Sequence, residues 1–307
     1  MLGMAPQPLG PCSLTWKYFG DWRTLLMALW AGSMQNMHPA LGAGVEQHSR
    51  FFEERWQRLF RSLYPIGGVV YDGPRAERTA REVRGYHDLI KGVDARGRRY
   101  HALDPDTFYW AHSTFFMLTL ITAERMCGGL SAAQRRQLFD EHVQWYRLYG
   151  VSTRPVPASW EAFQEYWDHM CAEVLEDNKA TRDVLDLRAL AKPPSLGWLP
   201  ELLWPPLRFV VARSFVWWTV GLYPAVVRER LGYRWSPGNE RLHRLVGRAL
   251  GLAFRFLPHD RRYHPRARAG WRRARGEHVP PVETPARNLP PRHERDNPMH
   301  YSPREAT

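Results

Sequence analysis

Cysteine is scarce in this chain of 307 residues, with three in all, Cys12, Cys127 and Cys171, far apart in sequence. Neither CxxC nor CxxCH occurs, which removes the ligands for a disulfide framework and for covalent haem attachment. So sparse and odd a count suits a reducing, cytoplasmic setting. Lysine is nearly as rare: of 43 basic residues only Lys17, Lys91, Lys179 and Lys192 are lysine, so the net charge of +12 is arginine charge. Long apolar runs are missing too. Leu25–Val45 is broken by Gln35, Asn36, His38 and Pro39, and Phe209–Val227 by Arg213 and Pro224. Neither supplies the ~20 unbroken apolar residues of a spanning helix. Both read as buried core helices, with interfacial membrane contact left open. The first 13 residues have no basic segment leading into an apolar one, so no secretory signal is expected.

The motif inventory is equally thin. No HExxH, P-loop, strand-following GxGxxG or GxSxG elbow is present. The paired Glu-x-x-His motifs of a di-iron bundle are absent as well. Zinc hydrolase, nucleotide enzyme, serine hydrolase and di-iron oxygenase all lose their best support.

What is there is apolar, aromatic and helical. Hydrophobic residues make up 44% and aromatics 13%, with 14 Trp, so a large core can form. A helical run starts at Asp21 and stops near Pro39; a second, about 51–64, puts Phe52, Trp56, Leu59, Phe60 and Leu63 on one wide stripe. A third runs from Arg75 to about Lys91. The turn chemistry of Asp94-Ala95-Arg96-Gly97 then predicts a short hairpin. Asp104-Pro105-Asp106 starts an aromatic-rich helix that stops at Gly128-Gly129, and Ser131 with Gln134 forms a capping box. Further helices are expected at 131–149, 160–177, 199–211, 216–231 and 239–256. From Glu277 onward proline is dense and periodicity is lost, as in a disordered tail. The reading is all-α: one globular multi-helix domain, a globin-like core being one arrangement open to it, with a short β-hairpin and a disordered C-terminal tail. Its limits are a flexible start at 1–8, a domain at 9–276 and the tail at 277–307.

The stretch Arg84–His112 carries the most chemistry. His87 shares a helical face with Val83 and Ile90, and His112 sits between Phe108 and Phe116 on the next helix. An imidazole in apolar company is either satisfied by a hydrogen bond or bound to a metal, because a buried polar group left unpaired costs ~1–3 kcal/mol. A satisfied core histidine is the commoner outcome. Yet one axial imidazole suffices for a non-covalent b-type haem, with apolar side chains over the porphyrin and arginine on its propionates.

Several stretches, in order, resemble the haem-dependent oxygenase family of the rubber oxygenases (latex-clearing proteins) and mpaB-type oxygenases. They are LGPCSLTWKYFGDWRTLL (9–26), QNMHPALGAGVEQHSRF (35–51), RLFRSLYPIGGVVYDGP (58–74), VRGYHDLIKG, YHALDPDTFYWAH and LYPAVVRERLGYRWS (222–236). Together they cover roughly residues 9–275. The resemblance implies that His87, in the Arg84-x-x-His87 motif, is the proximal iron ligand, with His112 in reserve. It places the distal Arg-x-x-Lys-Thr group on Arg58, Arg61 and Ser62, so this chain has Arg for Lys and Ser for Thr. Charge and hydroxyl survive, but a planar guanidinium is not a compact ammonium. Arg84, His38 and His112 also match family positions near the cofactor.

The expectation is therefore a cytoplasmic oxidoreductase binding haem b and using dioxygen on a small apolar organic substrate. Oxidative cleavage of a C=C bond is the family precedent, and peripheral membrane contact stays open. The rival is a non-catalytic helical protein binding nucleic acid or an anionic membrane through its Arg-rich 259–276 segment. No recognition motif for nucleic acid accompanies that segment, so no specific nucleic acid is expected.

Overall fold

A computed structural model of the chain describes residues 6–295 and 297–300. Of the predicted segments, residues 1–5 of the flexible start and 296 and 301–307 of the tail lie outside the described residues. The fold is all-α with one short antiparallel hairpin.

Its first helix, α1 (Leu14–Tyr18), begins at Ser13, whose hydroxyl accepts from the Trp16 amide. The Asp21 run is a 3₁₀ segment, Trp22–Met27, that leads into α2 (Ala28–Asn36). Pro39 opens α3 (Pro39–Gln47), and after a loop comes α4 (Arg55–Tyr71). The stripe predicted to end near residue 64 thus continues past Pro65, which lies inside the helix. Next comes α5 (Ala76–Gly85), shorter than expected because residues 86–89 form a turn. The hairpin is as predicted: β1 (Lys91–Val93) pairs with β2 (Arg99–His101), with Lys91 opposite His101.

The 22-residue α6 (Pro105–Met126) forms the spine of the domain. Asp104 caps it by accepting from the Asp106 and Thr107 amides, and Gly128 and Gly129 end it with φ of +95° and +92°. It is apolar almost all round, the pattern of a helix covered on every side. Against it lie α2 and α7 (Ala132–Arg147), the latter opened by the Ser131–Gln134 capping box. From α7 the buried Glu141 reaches α1 and accepts from the Leu14 and Thr15 amides at 2.9 and 2.7 Å. A carboxylate there satisfies orphan donors and complements the helix dipole.

Next, α8 (Trp160–His169) ends in a π-turn, Met170–Val174, and α9 (Lys179–Leu185) follows. Arg230 donates to the turn's Cys171 and Ala172 carbonyls, both at 2.5 Å. The segments expected at 199–211 and 216–231 rearrange into α10 (Trp204–Leu222) and, past Pro224, α11 (Ala225–Arg230). The buried-core reading of Phe209–Val227 needs correction here. In α10 only Trp204 at its start and the last five residues, from Trp218 to Leu222, are buried, and Phe209 is 64% exposed. Then α12 (Pro237–Arg255) crosses the end of α6, where Gly247 comes so close that a Cβ would stand 2.8 Å from the Arg125 carbonyl oxygen. Gly251 meets the Met126 carbonyl more closely still. Only glycine allows that approach.

The last helices are α13 (His259–Arg262) and α14 (Pro265–Ala274). Two of their arginines are engaged inward. Arg266 pairs with the buried Asp72 at 2.5 Å and donates to the Tyr64 carbonyl, while Arg273 donates to the Tyr71 carbonyl. Both thus serve the C-terminal end of α4, where cations offset the dipole. Arg272 and Arg275 pair with Glu277. These contacts hold the segment to the fold. Residues 277–295 and 297–300 contain only 3₁₀ turns, one of which packs on α4.

Candidate functional site

Among α2, α4, α6 and α10 lies a large cavity, about 980 Å³ and mostly apolar in lining. That lies at the upper end of the ~300–1,000 Å³ of ligand pockets. From α4, Arg55, Arg58, Leu59, Ser62 and Ile66 line it, at helical spacings of three or four. Opposite stand Val83 on α5, His87 just after it, and Phe108, His112 and Phe115 from α6.

His87 follows the end of α5, and its Nδ1 donates to the Val83 carbonyl at 2.9 Å. That bond fixes the tautomer and leaves the lone pair on Nε2. Phe108 meets the ring edge-to-face at 5.5 Å. Burial pushes the His87 pKa down to about 4 against the pull of the Val83 and Arg84 carbonyls, and the Arg58 guanidinium lowers it further. The imidazole is therefore neutral near pH 7, the form that ligates metals, and a backbone-bound Nδ1–H is the usual outer support of such a ligand.

His112 borders the same cavity but is tied elsewhere. Its Nε2 donates to the His142 carbonyl at 3.2 Å, and the two rings stack at 4.5 Å with 15° between planes. Desolvation lowers its pKa to about 3 and that of His142 well below the ordinary value. The Nδ1 atom of each ring is buried with no partner.

On the α4 wall, Arg58 donates to Ser49 Oγ at 2.6 Å. Arg55 lies over the Phe51 and Phe52 rings, 4.8 Å from each, and gives Nη2 to the Asp183 carbonyl at 3.2 Å. Its Nη1 is buried with no partner. A half-buried guanidinium beside an apolar cavity, one donor unmet, is built to receive an anion. Sequence reading missed Arg55, although it stands three residues before Arg58 and seven before Ser62, on the same helical face.

Of the residues singled out from sequence, Arg58, Ser62, His87 and His112 meet at this cavity. Arg61 does not line it; buried on the other side of α4, it pairs with Glu54 and donates to the Asn288 carbonyl at 3.3 Å. Arg84 is exposed and donates to the Gly150 carbonyl. His38 caps α3 outside the lining, its Nδ1 without a partner and its pKa lowered to about 4 by burial. His101 lies in the hairpin.

These features fit a haem. Among the described residues no group of three or more His, Cys, Asp or Glu side chains could share a metal ion. A porphyrin iron asks for one axial imidazole, apolar cover and a cation for the propionates. His87, the cavity walls and the unmet donor of Arg55 supply those three things. Neither a curated protein nor a solved structure matches the chain. A family model does: that of the ER-bound oxygenase mpaB/B'/Rubber oxygenase catalytic domain matches residues 16–252, and the chain belongs to this family.

Proposed function

We propose that this protein is a haem b-dependent oxygenase that uses dioxygen on a small apolar organic substrate. The observation that carries the proposal is His87, a neutral imidazole tethered through Nδ1 at the wall of a large apolar cavity. Family membership supports an oxygenase-type function. His87 would hold the iron through Nε2, and Arg55 would take a propionate. The haem, when bound, supplies the dioxygen chemistry. The chain's own residues do the rest. Arg58 and Ser62 would offer a guanidinium and a hydroxyl, from a mostly apolar wall, to an oxygen atom that gains negative charge. Leu59, Ile66, Phe108 and Phe115 exclude water and orient an apolar substrate.

Cleavage of a C=C bond is the reaction we would test first. Both atoms of dioxygen end as the oxygens of two carbonyl groups, so that reaction consumes no external electron donor. Protein purified after expression with ample haem supply is expected to be coloured, with a Soret band, and to take up dioxygen when an unsaturated hydrocarbon is added. A colourless protein that does not take up added haem would overturn the reading.

A further inference from the structure

The outer face of α12 is unlike the rest of the surface. Leu242, Leu245, Ala249, Leu252 and Phe256 follow each other at spacings of three and four and form one exposed stripe. Leu245 is 62% and Phe256 82% exposed. Arg241, Arg248 and Arg255 run beside the stripe at seven-residue intervals, and all three are exposed. The opposite side of the helix is committed inward through His243, Gly247 and Gly251. From α10, whose Trp217 and Trp218 pack on His243 of α12, Leu207, Phe209, Val210 and Val211 add further exposed apolar surface. A contiguous apolar patch rimmed by cations marks an interaction surface, since isolated apolar residues are the ordinary case.

We propose that the α10–α12 face docks on an anionic phospholipid bilayer, the apolar stripe entering the acyl boundary and the arginines meeting the headgroups. Charge selects this occupant. Between residues 202 and 256 there are nine arginines but only two acids, Glu229 and Glu240. Glu240 is already held by Arg125 and Arg244. Arg248 and Arg255 have no ion pair among the described residues. Together with Arg125 and Arg244 they line a groove of about 620 Å³ beside Leu252, whose carboxylate, Glu124, is paired with Arg135. A second copy brought onto this face would set arginine rim against arginine rim, whereas a negatively charged surface neutralises both. No helix among the described residues is long and apolar enough to cross a membrane. The contact is therefore that of a helix lying in the interface, its arginine stems alongside the apolar stripe.

The face also adjoins the cavity. Val210, Val211 and Ser214 are at once exposed and part of its lining, and Val246 and Leu250 of α12 line it from the other side. Docking would bring that opening against the acyl region, where an apolar substrate dissolves. The docking itself does not depend on what the cavity binds.

The test is flotation of the full chain with vesicles of phosphatidylcholine alone or with about one-third phosphatidylglycerol. Binding is expected to the anionic vesicles and to weaken as salt rises. Replacing Arg241, Arg248 and Arg255 together by Gln should lower partitioning on the order of 100-fold, at about fivefold per arginine. Phe256→Glu and Leu245→Gln should each lower it at least about tenfold, and as exposed positions both should keep the wild-type circular dichroism melt. Three results would overturn the proposal: no partitioning, partitioning indifferent to these substitutions, or a dimer in solution that Leu245→Gln and Phe256→Glu disperse.

Discussion

His87 and His112 border one cavity, each beside Phe108 or one turn along from it, yet the structure ties them down differently. The Nδ1–H of His87 returns to the carbonyl of Val83, four residues earlier on its own chain segment. His112 instead bonds across to α7 through Nε2 and stacks on His142. A local tether orients the ring from its own chain segment. A tether across a helix interface makes the ring part of the core, so that moving it disturbs two elements. Identical side chains with similar apolar neighbours thus take on different work, one suited to a ligand and one to packing.

The largest effect expected from that difference is spectroscopic. His87→Ala should abolish or strongly shift the Soret band while the fold persists by circular dichroism. His112→Phe should keep the band. An exchange of these outcomes would move the axial ligand to His112 and leave the class of protein unchanged. His112→Ala, by contrast, should cost ~3 kcal/mol in chemical denaturation, from the cavity left beside His142 and the unmade bond to its carbonyl.

The same contrast predicts a pH dependence. In the folded state the pKa of His112 is depressed to about 3, and that of His142 lies well below the ordinary value. In the unfolded chain both titrate near ~6.5. Below that pH the unfolded state binds more protons, so stability is fully present above pH ~6.5 and is lost as pH falls toward 3. Denaturation midpoints measured from pH 7 down to pH 4.5 should fall for the wild type and fall less for His112→Phe. A wild-type profile flat over this range would show that the pair is not desolvated as the packing implies.

The two faces of α4 sharpen the comparison with arginine in place of histidine. Arg55 lines the cavity with its Nη1 unmet, whereas Arg61, whose Nε is also unmet, is buried away from the cavity against Glu54 and Asn288. Arg55→Met should weaken haem retention about tenfold, as expected for one charge-assisted bond, with little change in melting. Arg61→Met should do the reverse. It leaves Glu54 without its guanidinium and should destabilise the fold by ~2–3 kcal/mol with the Soret band unmoved. Haem titration of each apoprotein beside a thermal melt separates the two.

How much of this was legible beforehand depends on whether the signal was local. The Asp104 cap, the Ser131–Gln134 box, the hairpin turn and the all-α class are local rules, and the structure bears them out. The reach of α4 past Pro65 was not legible, because packing against α5 and α14 keeps helical a segment that a local rule would interrupt. Nor could spacing alone divide Arg58 and Ser62 from Arg61: the three lie within about one turn of the helix, and Arg61 is drawn away by Glu54 and by Asn288, 227 residues further along. In the basic 259–276 segment the partner of Arg266, Asp72, lies 194 residues away, so composition shows that arginine's charge and hides its pairing.

Ser62 should give the smallest effect and the finest test of the cavity. It stands one turn beyond Arg58 on the lining face of α4, and its hydroxyl is a neutral group beside a charged one. A neutral hydrogen bond contributes ~1 kcal/mol, so Ser62→Ala should lower the rate of substrate-dependent dioxygen uptake about fivefold at most. The Soret band and the melt should stay as in the wild type, and Ser62→Thr, which keeps the hydroxyl, should restore most of the rate. Arg58→Met removes a charge from the same wall and should cost more than Ser62→Ala by at least about tenfold. If Ser62→Ala instead proved the costlier of the two, the hydroxyl would be the group that meets the reacting oxygen, and Arg58 would be left with its bond to Ser49 as a structural tie.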